Sequence, residues 1–394
     1  MANSVLTPTA VTRKAMQILH GKLFLAKQVN RQYDGSFAQS GAKIGSTLKV
    51  RKPNKYTVRT GKNLNAQDTS ETSETITVAT QVGVDTVFST AELTMEMQDF
   101  AERILEPAMA VVAANIENAI AAQYVNVPNL VGTAGTTPAA MLTILNAGAR
   151  LDDNLVRRDG KRVVALSPAA MAAMVDGYKG LFQKSGAIAD QYESGLIEDM
   201  ATGFKWGACP VINAHTMSAG TVTSITVNDT VASGDTDVTI STTTTAIATG
   251  TIVTFAGCYA VNDETKAAYP HLRQWVVSSA TATVLTLTEA ITTSGANQNC
   301  SAVPTNSGAV TFSGSASTSY PQHLAFHKDW LALVTADLED VSKFGAWGSR
   351  QEYDGISIRI ARQYDINSDN VPARIDVLYG VKQLRGELAV RITG

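Results

Sequence analysis

Apolar positions recur with different periods in different parts of this chain. Between residues 92 and 126 they recur every three or four positions, which predicts one long helix. Pro107 lies inside this apolar stripe and lacks a backbone N–H donor, so we expect a kink there. Two shorter helices that meet at Pro107 are the alternative. The predicted stripe consists of Leu93, Met97, Phe100, Ile104, Ala108, Val111, Asn115 and Ala119.

Residues 138–215 combine helical and strand patterns. At Thr137–Pro138 and again at Ser167–Pro168, a capping side chain precedes a proline, which predicts two helix starts. The apolar segment KRVVAL between them predicts a buried strand. Further apolar segments, GFKWGACPVINAH and YPQHLAFHKDWLALVTADL, stand on either side of residues 216–319. We therefore expect one α/β domain that is interrupted by an insertion.

Residues 216–319 are rich in threonine and poor in charge, with 24 threonines and only eight charged side chains. β-Branched residues favour a pleated sheet over a helix, and short alternating segments separated by Gly, Asn and Ser are typical of a small barrel or sandwich. A disordered linker and irregular loops are the alternatives. An inserted module also requires its two ends to lie close together. The apolar anchors that a linker would lack are Trp275, Val276, Val277, Leu285 and Phe312.

A basic segment precedes the predicted helix. Between residues 43 and 62 the chain carries seven cations and no acidic residue. Alternation at Ile76/Val78 and Val82/Val84 follows, so the two segments predict a long two-stranded excursion. Alternating isoleucines at 356, 358 and 360, and apolar residues at 388, 390 and 392, predict strands near residue 394. The seven cations are Lys43, Lys49, Arg51, Lys52, Lys55, Arg59 and Lys62.

Acidic residues follow the predicted helix at intervals of three and four, one position away from its apolar stripe. Complementary charge fixes the orientation of a contact more than it adds affinity. We therefore expect the basic segment of one subunit to lie along this acidic row in a neighbouring subunit. A solvated charged surface is the alternative, since isolated surface ion pairs contribute little. The acidic row is Glu92, Glu96, Asp99, Glu102 and Glu106.

Composition narrows the class of protein. The 394 residues are 44% hydrophobic and 17% charged, which is typical of a globular protein with two or three domains. No apolar run approaches the ~20 residues of a membrane span, and the N-terminal sequence lacks the apolar block of a secretion signal, so we expect a cytoplasmic protein. A net charge of −3 excludes a generally basic nucleic-acid binder. Cys209, Cys258 and Cys300 form no CxxC motif, and we expect reduced thiols.

The sequence contains no HExxH, GxSxG, GxxxxGK[ST] or GxGxxG pattern. His323 and His327 are four residues apart, and on a helix they would share a face as metal ligands. No cysteine or carboxylate pair stands beside them at ligand spacing, so solvated or hydrogen-bonded histidines are expected instead. The acidic residues of segment 228–237 lack the dense ligand loop of a calcium site. We expect no enzyme activity, no metal and no cofactor.

The order of these elements resembles the major capsid (coat) proteins of tailed bacteriophages. The segments GFKWGACPVI and LAFHKDWLALVTADL look like the two A-domain strands that flank an insertion in the podovirus-type subgroup, and GTIVTFAG (250–257) looks like a central strand of that insertion. The resemblance implies the α+β tailed-phage capsid fold with an all-β insertion domain. Its parts would be an N-terminal arm (1–34), an E-loop region (35–90), a P-domain spine helix (91–137), an A-domain (138–215 and 320–350), an inserted β-barrel I-domain (216–319) and C-terminal P-domain or A-domain strands (351–394).

The resemblance implies a structural role. Hexamers and pentamers of the chain would form an icosahedral shell around packaged double-stranded DNA, without sequence-specific DNA contacts. Assembly in the host bacterial cytoplasm would require a separate scaffolding protein and a portal protein at one vertex. Shell expansion would bend the spine helix at Pro107. The Lys–Asn cross-linking of some phage shells is not a feature of this subgroup, although Lys43, Lys49 or Lys62 would be the candidate lysines.

The resemblance also implies that a loop of the insertion bridges neighbouring capsomers. By position this loop is 228–237, with Asp229, Asp235 and Asp237 as the pairing residues. The loop at 260–273, which holds four of the eight charges, is the second candidate. The alternative function is a monomeric tail or surface protein whose β module binds carbohydrate or cells. That alternative predicts clustered, exposed aromatic side chains at Tyr259, Tyr269, Trp275 and Tyr320.

Overall fold

The computed structural model describes residues 8–33, 45–64, 66–67, 71–89, 104–178, 197, 200–218, 220, 222, 224–241, 243, 246–339, 341–345, 347–353, 356–366 and 370–393. The α-helices are α1 (Pro8–Lys22), α2 (Leu25–Gln28), α3 (Glu106–Ala121), α4 (Met141–Asp153) and α5 (Pro168–Tyr178). The first strands are β1 (Ser46–Arg51), β2 (Ser73–Val78), β3 (Thr80–Ser89), β4 (Asn129–Val131), β5 (Arg162–Leu166), β6 (Met200–Ala201), β7 (Phe204–Ala208) and β8 (Ala214–Thr216). They are followed by β9 (Asp237–Thr239), β10 (Ile252–Phe255), β11 (Tyr259–Val261), β12 (Ala268–Leu272), β13 (Trp275–Ala280), β14 (Val284–Leu287) and β15 (Val310–Phe312). The last strands are β16 (Ser319–Pro321), β17 (His323–His327), β18 (Leu331–Ala336), β19 (Trp347–Tyr353), β20 (Ile356–Arg362), β21 (Asn370–Gln383) and β22 (Ala389–Ile392).

The chain divides into two compact units, and the first contains Met1–Val50, Ser73–Ile120 and Leu331–Leu384. Its main sheet is antiparallel and is built on the long strand β21. Strand β3 pairs along one edge of β21, while β20 and β18 share the other edge and β19 pairs with β20. Strand β2 packs against this sheet, and its Ile76 and Val78 are buried in one apolar cluster with Leu378.

Helix α3 corrects the predicted apolar stripe. Ala108 is buried as predicted, but Val111 and Asn115 face solvent. The buried face lies one position further along because the larger apolar side chains there remove more surface from water. Its residues are Met109, Val112, Ile116 and Ile120.

Pro107 lies in the first turn of α3, directly after a π-type turn at Ile104 and Leu105. A π-type turn changes the local hydrogen-bond spacing, and both such turns and prolines are recognised causes of a bend in a helix. Residues 90–103 lie outside the described part of the chain. The single long helix with a kink at Pro107 therefore stays a prediction.

The second unit contains Arg51–Thr72, Ala121–Trp330 and Arg385–Gly394. Its largest sheet has the strand order β4–β22–β17–β5–β7–β6. Strand β5 is fully buried, as predicted for KRVVAL, and pairs with β17 on one side and β7 on the other. Segments from both sides of residues 216–319 therefore belong to one sheet, and helix α4 packs against β22 and β4 of that sheet.

The two predicted helix starts have different outcomes. Helix α5 starts at Pro168, and the Ser167 hydroxyl accepts the N–H of Ala170 at 3.3 Å, as predicted. Helix α4 starts at Met141 without a side-chain cap, so the predicted start at Thr137–Pro138 is wrong. Residues 138–140 lie outside α4 and pack closely against helix α5. The Ala139 carbonyl is so near to Gly177 of α5 that a Cβ at position 177 would collide with it.

Most of residues 216–319 that the structure describes form a β module with its own core. Five antiparallel strands lie in the order β15–β10–β13–β14–β9, so GTIVTFAG supplies an interior strand beside the middle one. Trp275, Val277 and Leu285 are in the core of the module and Phe312 packs against it. Val276 belongs instead to a small cluster with Leu130 and Ile252.

The two ends of the β module are adjacent. Strand β8 enters the module and β16 leaves it, and the two strands pair antiparallel with Thr216 opposite Ser319. This pairing is the geometry that an insertion into a host domain requires.

Candidate functional site: a basic loop and a buried arginine

Strands β1 and β2 form a two-stranded sheet, and the basic segment continues from β1 into loop 52–72. The base of the loop is closed by a hydrogen bond from the Lys52 N–H to the Thr72 carbonyl at 2.8 Å and by an ion pair between Arg51 and Glu71 at 2.9 Å. The two-stranded excursion is thus shorter than predicted. Its second strand is β2, whereas Val82 and Val84 belong to β3 in the main sheet.

The described residues of loop 52–72 are held in shape by their own polar side chains. The Gln67 side chain accepts the N–H of Thr57 at 2.9 Å and donates to the Thr57 carbonyl at 2.6 Å, so it bridges the loop as a backbone pair would. Arg59 donates to the carbonyls of Gly61 and of Asn63, the latter at 2.8 Å. The tip of the loop is therefore built from local contacts.

The same tip exposes apolar side chains. Val58 and Leu64 are each 89% exposed, and Tyr56 is more than half exposed. Arg59 and Lys62 stand among them and are exposed too. Apolar groups that stay in water on an internally fixed loop are typical of a surface that another protein covers.

The described contacts do not join the basic segment to the acidic row. Lys43 and the acidic residues Glu92, Glu96, Asp99 and Glu102 lie outside the described residues. Glu106 forms an ion pair with Lys22 at 3.1 Å, and Lys55 forms one with Asp263 of the β module. Lys49 is exposed on β1. The contact between a basic loop and an acidic row of neighbouring subunits stays a prediction.

Two of the three acidic residues of segment 228–237 accept hydrogen bonds from nearby residues of the β module. Asp229 accepts hydrogen bonds from the Thr239 hydroxyl at 2.9 Å and the Thr230 N–H at 2.7 Å, and these bonds hold the pKa of Asp229 below its usual range. Asp235 accepts the N–H of Ala232 at 2.7 Å. Asp237 opens β9 and is exposed. A bridging role for this segment stays a prediction.

Arg391 is a buried cation for which the sequence analysis predicted no role. It lies on β22 with 1% of its surface exposed, and its acceptors are three backbone carbonyls: Val127 at 2.9 Å, Gly250 at 2.6 Å and Val125 at 3.3 Å. Burial lowers the pKa of Arg391 to about 9, which leaves the guanidinium charged at neutral pH. One cation thus ties the β22 strand to Gly250 of the β module.

Polar side chains surround this junction. The Tyr124 hydroxyl lies 3.2 Å from Nδ1 of His215, and Nε2 of His215 lies 3.0 Å from the Thr251 hydroxyl. Burial, with the Arg391 cation adding to it, lowers the pKa of His215 to about 4. His215 is therefore neutral at pH 7. The only sequence signal was a charged residue, Arg391, between the apolar residues of a predicted strand.

The aromatic residues of the β module do not form an exposed cluster. Trp275 and Tyr320 are buried. The Tyr269 hydroxyl donates to the Asp153 carbonyl at 2.9 Å, and its ring stacks on His271. Tyr259 is the one well-exposed side chain of these four aromatic residues, so the surface that a carbohydrate-binding module needs is not present among them.

The two spaced histidines lie on strand β17 instead of a helix, and both are buried. His323 Nδ1 accepts the Ser167 N–H at 3.2 Å, and His327 Nε2 lies 3.1 Å from an Asp159 carboxylate oxygen. No group of three or more His, Cys, Asp or Glu side chains suited to a metal ion occurs in the described ranges. Within the same ranges, every helix is too short or too polar to traverse a bilayer.

Comparisons with known proteins identify the family. Residues 1–394 match the family model described as "P22 coat protein - gene protein 5". A search of curated proteins finds no match. Similar solved structures include one from Mycobacterium phage Che8 (12% identity, 94% of this chain and 90% of that chain, TM-score 0.49) and the mature capsid of bacteriophage PhiM1 (12%, 88% and 81%, 0.41). The capsid of Myoviridae phage XM1 is a third (9%, 94% and 91%, 0.38). Because the family match runs through the whole chain, this protein belongs to the P22 coat protein family and is a major capsid protein of a tailed bacteriophage.

Proposed function

We propose that pentamers and hexamers of this chain assemble into an icosahedral shell that encloses packaged double-stranded DNA, and that the protein has a structural and not an enzymatic role. Membership of the coat protein family supports this proposal. A ring of identical subunits needs a heterologous contact, in which one surface meets a different surface on the next copy. Loop 52–72 is suited to such a contact because its exposed tip can meet a different surface on the next copy.

The exposed tip of loop 52–72 is the observation that carries the proposal. Val58 and Leu64 stand in water although the loop around them is fixed by Gln67 and Arg59. Burying two such side chains stabilises a contact by about 3–6 kcal/mol in total. The occupant to which we commit is a neighbouring copy of this chain, since each copy of a shell protein meets other copies around it. The cations beside the tip would orient the contact toward an acidic surface.

The β module is proposed to be the inserted I-domain of the podovirus-type subgroup. Its separate core, the pairing of β8 with β16 and the Arg391 junction support this proposal. Segment 228–237 is proposed to bridge capsomers through its exposed residue Asp237, while Asp229 and Asp235 shape the turn. Pro107 is proposed as the place where the spine helix changes curvature during expansion.

The remaining partners are inferred from the proposed shell. A separate scaffolding protein would direct assembly in the host cytoplasm, and a portal protein would occupy one vertex. The net charge of −3 suits a lumen that tolerates DNA without binding it, because tight phosphate contacts need clustered cations.

The test removes the apolar tip while it keeps the fold of the loop. In the double variant Val58→Ser with Leu64→Ser, we expect a folded monomer that forms few or no shells in assembly reactions with the scaffolding protein of the same phage. Negative-stain microscopy and sedimentation velocity give the yield of shells. Asn63→Ser is the matched control, because its backbone carbonyl still accepts from Arg59. Normal shells from the double variant would refute the role of the tip.

A further inference from the structure

Asp263 of the β module contacts two lysines, one of which comes from the basic loop. Lys55 Nζ lies 2.6 Å from one carboxylate oxygen of Asp263 and 2.8 Å from the other. Lys266 Nζ lies 3.7 Å from the same carboxylate. Loop 52–72 accordingly groups with the compact unit that holds the β module, although β2 belongs to the first unit. One carboxylate therefore has a partner in the loop and a second partner in its own hairpin.

The hairpin of β11 and β12 fixes the position of Asp263. The Asn262 side chain accepts the N–H groups of Glu264 and Thr265, both at 2.9 Å, and donates to the Tyr269 hydroxyl at 2.8 Å. That hydroxyl in turn donates to the carbonyl of Asp153 on helix α4 at 2.9 Å. Asp263 is thus presented by a turn that is tied to a helix of the host domain.

Lys266 is held independently of the loop. Its ammonium group donates to the Ala296 carbonyl at 2.7 Å, and only 15% of its side chain is exposed. It therefore stays beside Asp263 whether or not Lys55 is present. Departure of the loop would leave the Asp263 carboxylate with a cation nearby, so the carboxylate would not become an unpaired charge.

We propose that Asp263 is a docking site for loop 52–72 of its own chain, and that Lys266, which shares the carboxylate with Lys55, keeps the docking weak and reversible. Lys55 and Asp263 are 41% and 37% exposed, and ion pairs at this exposure are weak enough to exchange. In the monomer, docking of the loop fixes the position of its apolar tip. That a neighbouring subunit binds the tip in this position rests on the proposed function, whereas the docking itself does not.

The test measures hydrogen–deuterium exchange in the full-length monomer at low salt. In Asp263→Asn we expect peptides that span residues 53–64 to exchange about two- to five-fold faster than in the unmodified protein, which is the range for loss of an exposed ion pair. Glu264→Gln is the matched control, because it removes an adjacent exposed carboxylate, and we expect no change. In Lys266→Met the loop should exchange more slowly, because the substitution removes a cation that repels Lys55 and shares the Asp263 carboxylate with it. Equal rates in Asp263→Asn and Glu264→Gln would overturn the docking site.

Exchanging the charges of Lys55 and Asp263 distinguishes a specific pair between these two residues from a general effect of charge on the loop. Asp263→Lys alone should release the loop, and combining it with Lys55→Asp should restore slow exchange, because the carboxylate introduced in the loop would face the lysine introduced in the hairpin and Lys266 beside it. About 1 M salt should remove the differences, since screening at that ionic strength acts within a few ångströms. A double variant that exchanges as fast as Asp263→Lys would refute the pairing. None of these measurements involves assembly, so a negative result leaves the shell proposal to its own test.

Discussion

Replacement of Arg391 by methionine tests whether the buried junction holds the β module on its host sheet. Methionine fills much of the volume of the arginine stem but has no donor. The substitution leaves the carbonyls of Val125, Val127 and Gly250 without the guanidinium that they share. The bond to Val127 has an ordinary length of 2.9 Å, the bond to Gly250 is short at 2.6 Å, and the bond to Val125 is long at 3.3 Å.

The expected loss follows from these bonds. A buried polar group that loses its partner costs about 1–3 kcal/mol. We take the lower end for the three carbonyls, about 3 kcal/mol in total, because the substitution also removes a buried charge whose desolvation opposes folding. For a unit of this size a change of 1 kcal/mol lowers the melting temperature by about 2–4 °C, so we expect a decrease of about 6–12 °C.

The assay is thermal unfolding of the monomer by tryptophan fluorescence, together with hydrogen exchange of the strand that follows Gly250. Arg385→Met is the matched control, since Arg385 is partly exposed and pairs with Glu387 at the surface. We expect the control to change stability by less than about 0.5 kcal/mol. A melting temperature for Arg391→Met within about 2 °C of that of the control would refute the reasoning, since 2 °C corresponds to about 0.5–1 kcal/mol. Unchanged hydrogen exchange in the strand after Gly250 would refute it as well.

Three further predictions concern stability, each measured as a urea midpoint. Burial lowers the pKa of His323 to about 4, below the value of about 6.5 in the unfolded chain, so the unfolded chain alone binds a proton as the pH falls from 6.5 to 4. Stability should therefore fall by about 2 kcal/mol between pH 7 and 5 on account of this residue, and His323→Asn should remove that part of the slope. Burial alone would raise the pKa of Asp376, but hydrogen bonds from arginines outweigh it and lower the pKa. Asp376→Asn should cost about 3 kcal/mol because Arg359 loses its 2.7 Å partner. Because the pKa is lower in the folded protein, stability should also fall progressively as the pH decreases below about 4, and Asp376→Asn should remove that part of the pH dependence. Gly83→Ala should cost about 1–3 kcal/mol because its Cβ would collide with the backbone carbonyl of Ile375 and would also lie 2.7 Å from the Asp376 carboxylate. Gly21→Ala, with free space in α1, should be neutral or stabilising. A midpoint for Gly83→Ala equal to that of Gly21→Ala would contradict the steric argument.

Local sequence determined the elements whose signals lie within a few residues of one another. Helix α5 begins at Pro168 with Ser167 as its cap, because a cap acts on the first turn of its own helix. Strand β5 is buried as predicted, because a continuous apolar run suits a strand covered on both faces. The β module was also predictable, since threonine content and alternating segments are properties of the chain itself.

Tertiary structure decided features for which the local sequence allows more than one outcome, such as which face of a helix is buried. The face of α3 that is buried, and the start of α4 at Met141, depend on neighbours that are distant in sequence. The burial of Arg391 among carbonyls from residues 125–250 depends on strand order, which no local pattern specifies. Lys55 and Asp263 are 208 positions apart, so their pairing depends on the fold. Periodicity and capping act over a few residues, whereas burial and charge pairing act between segments that only folding brings together. This difference in range separates the features that the sequence determined from those that depend on the tertiary structure.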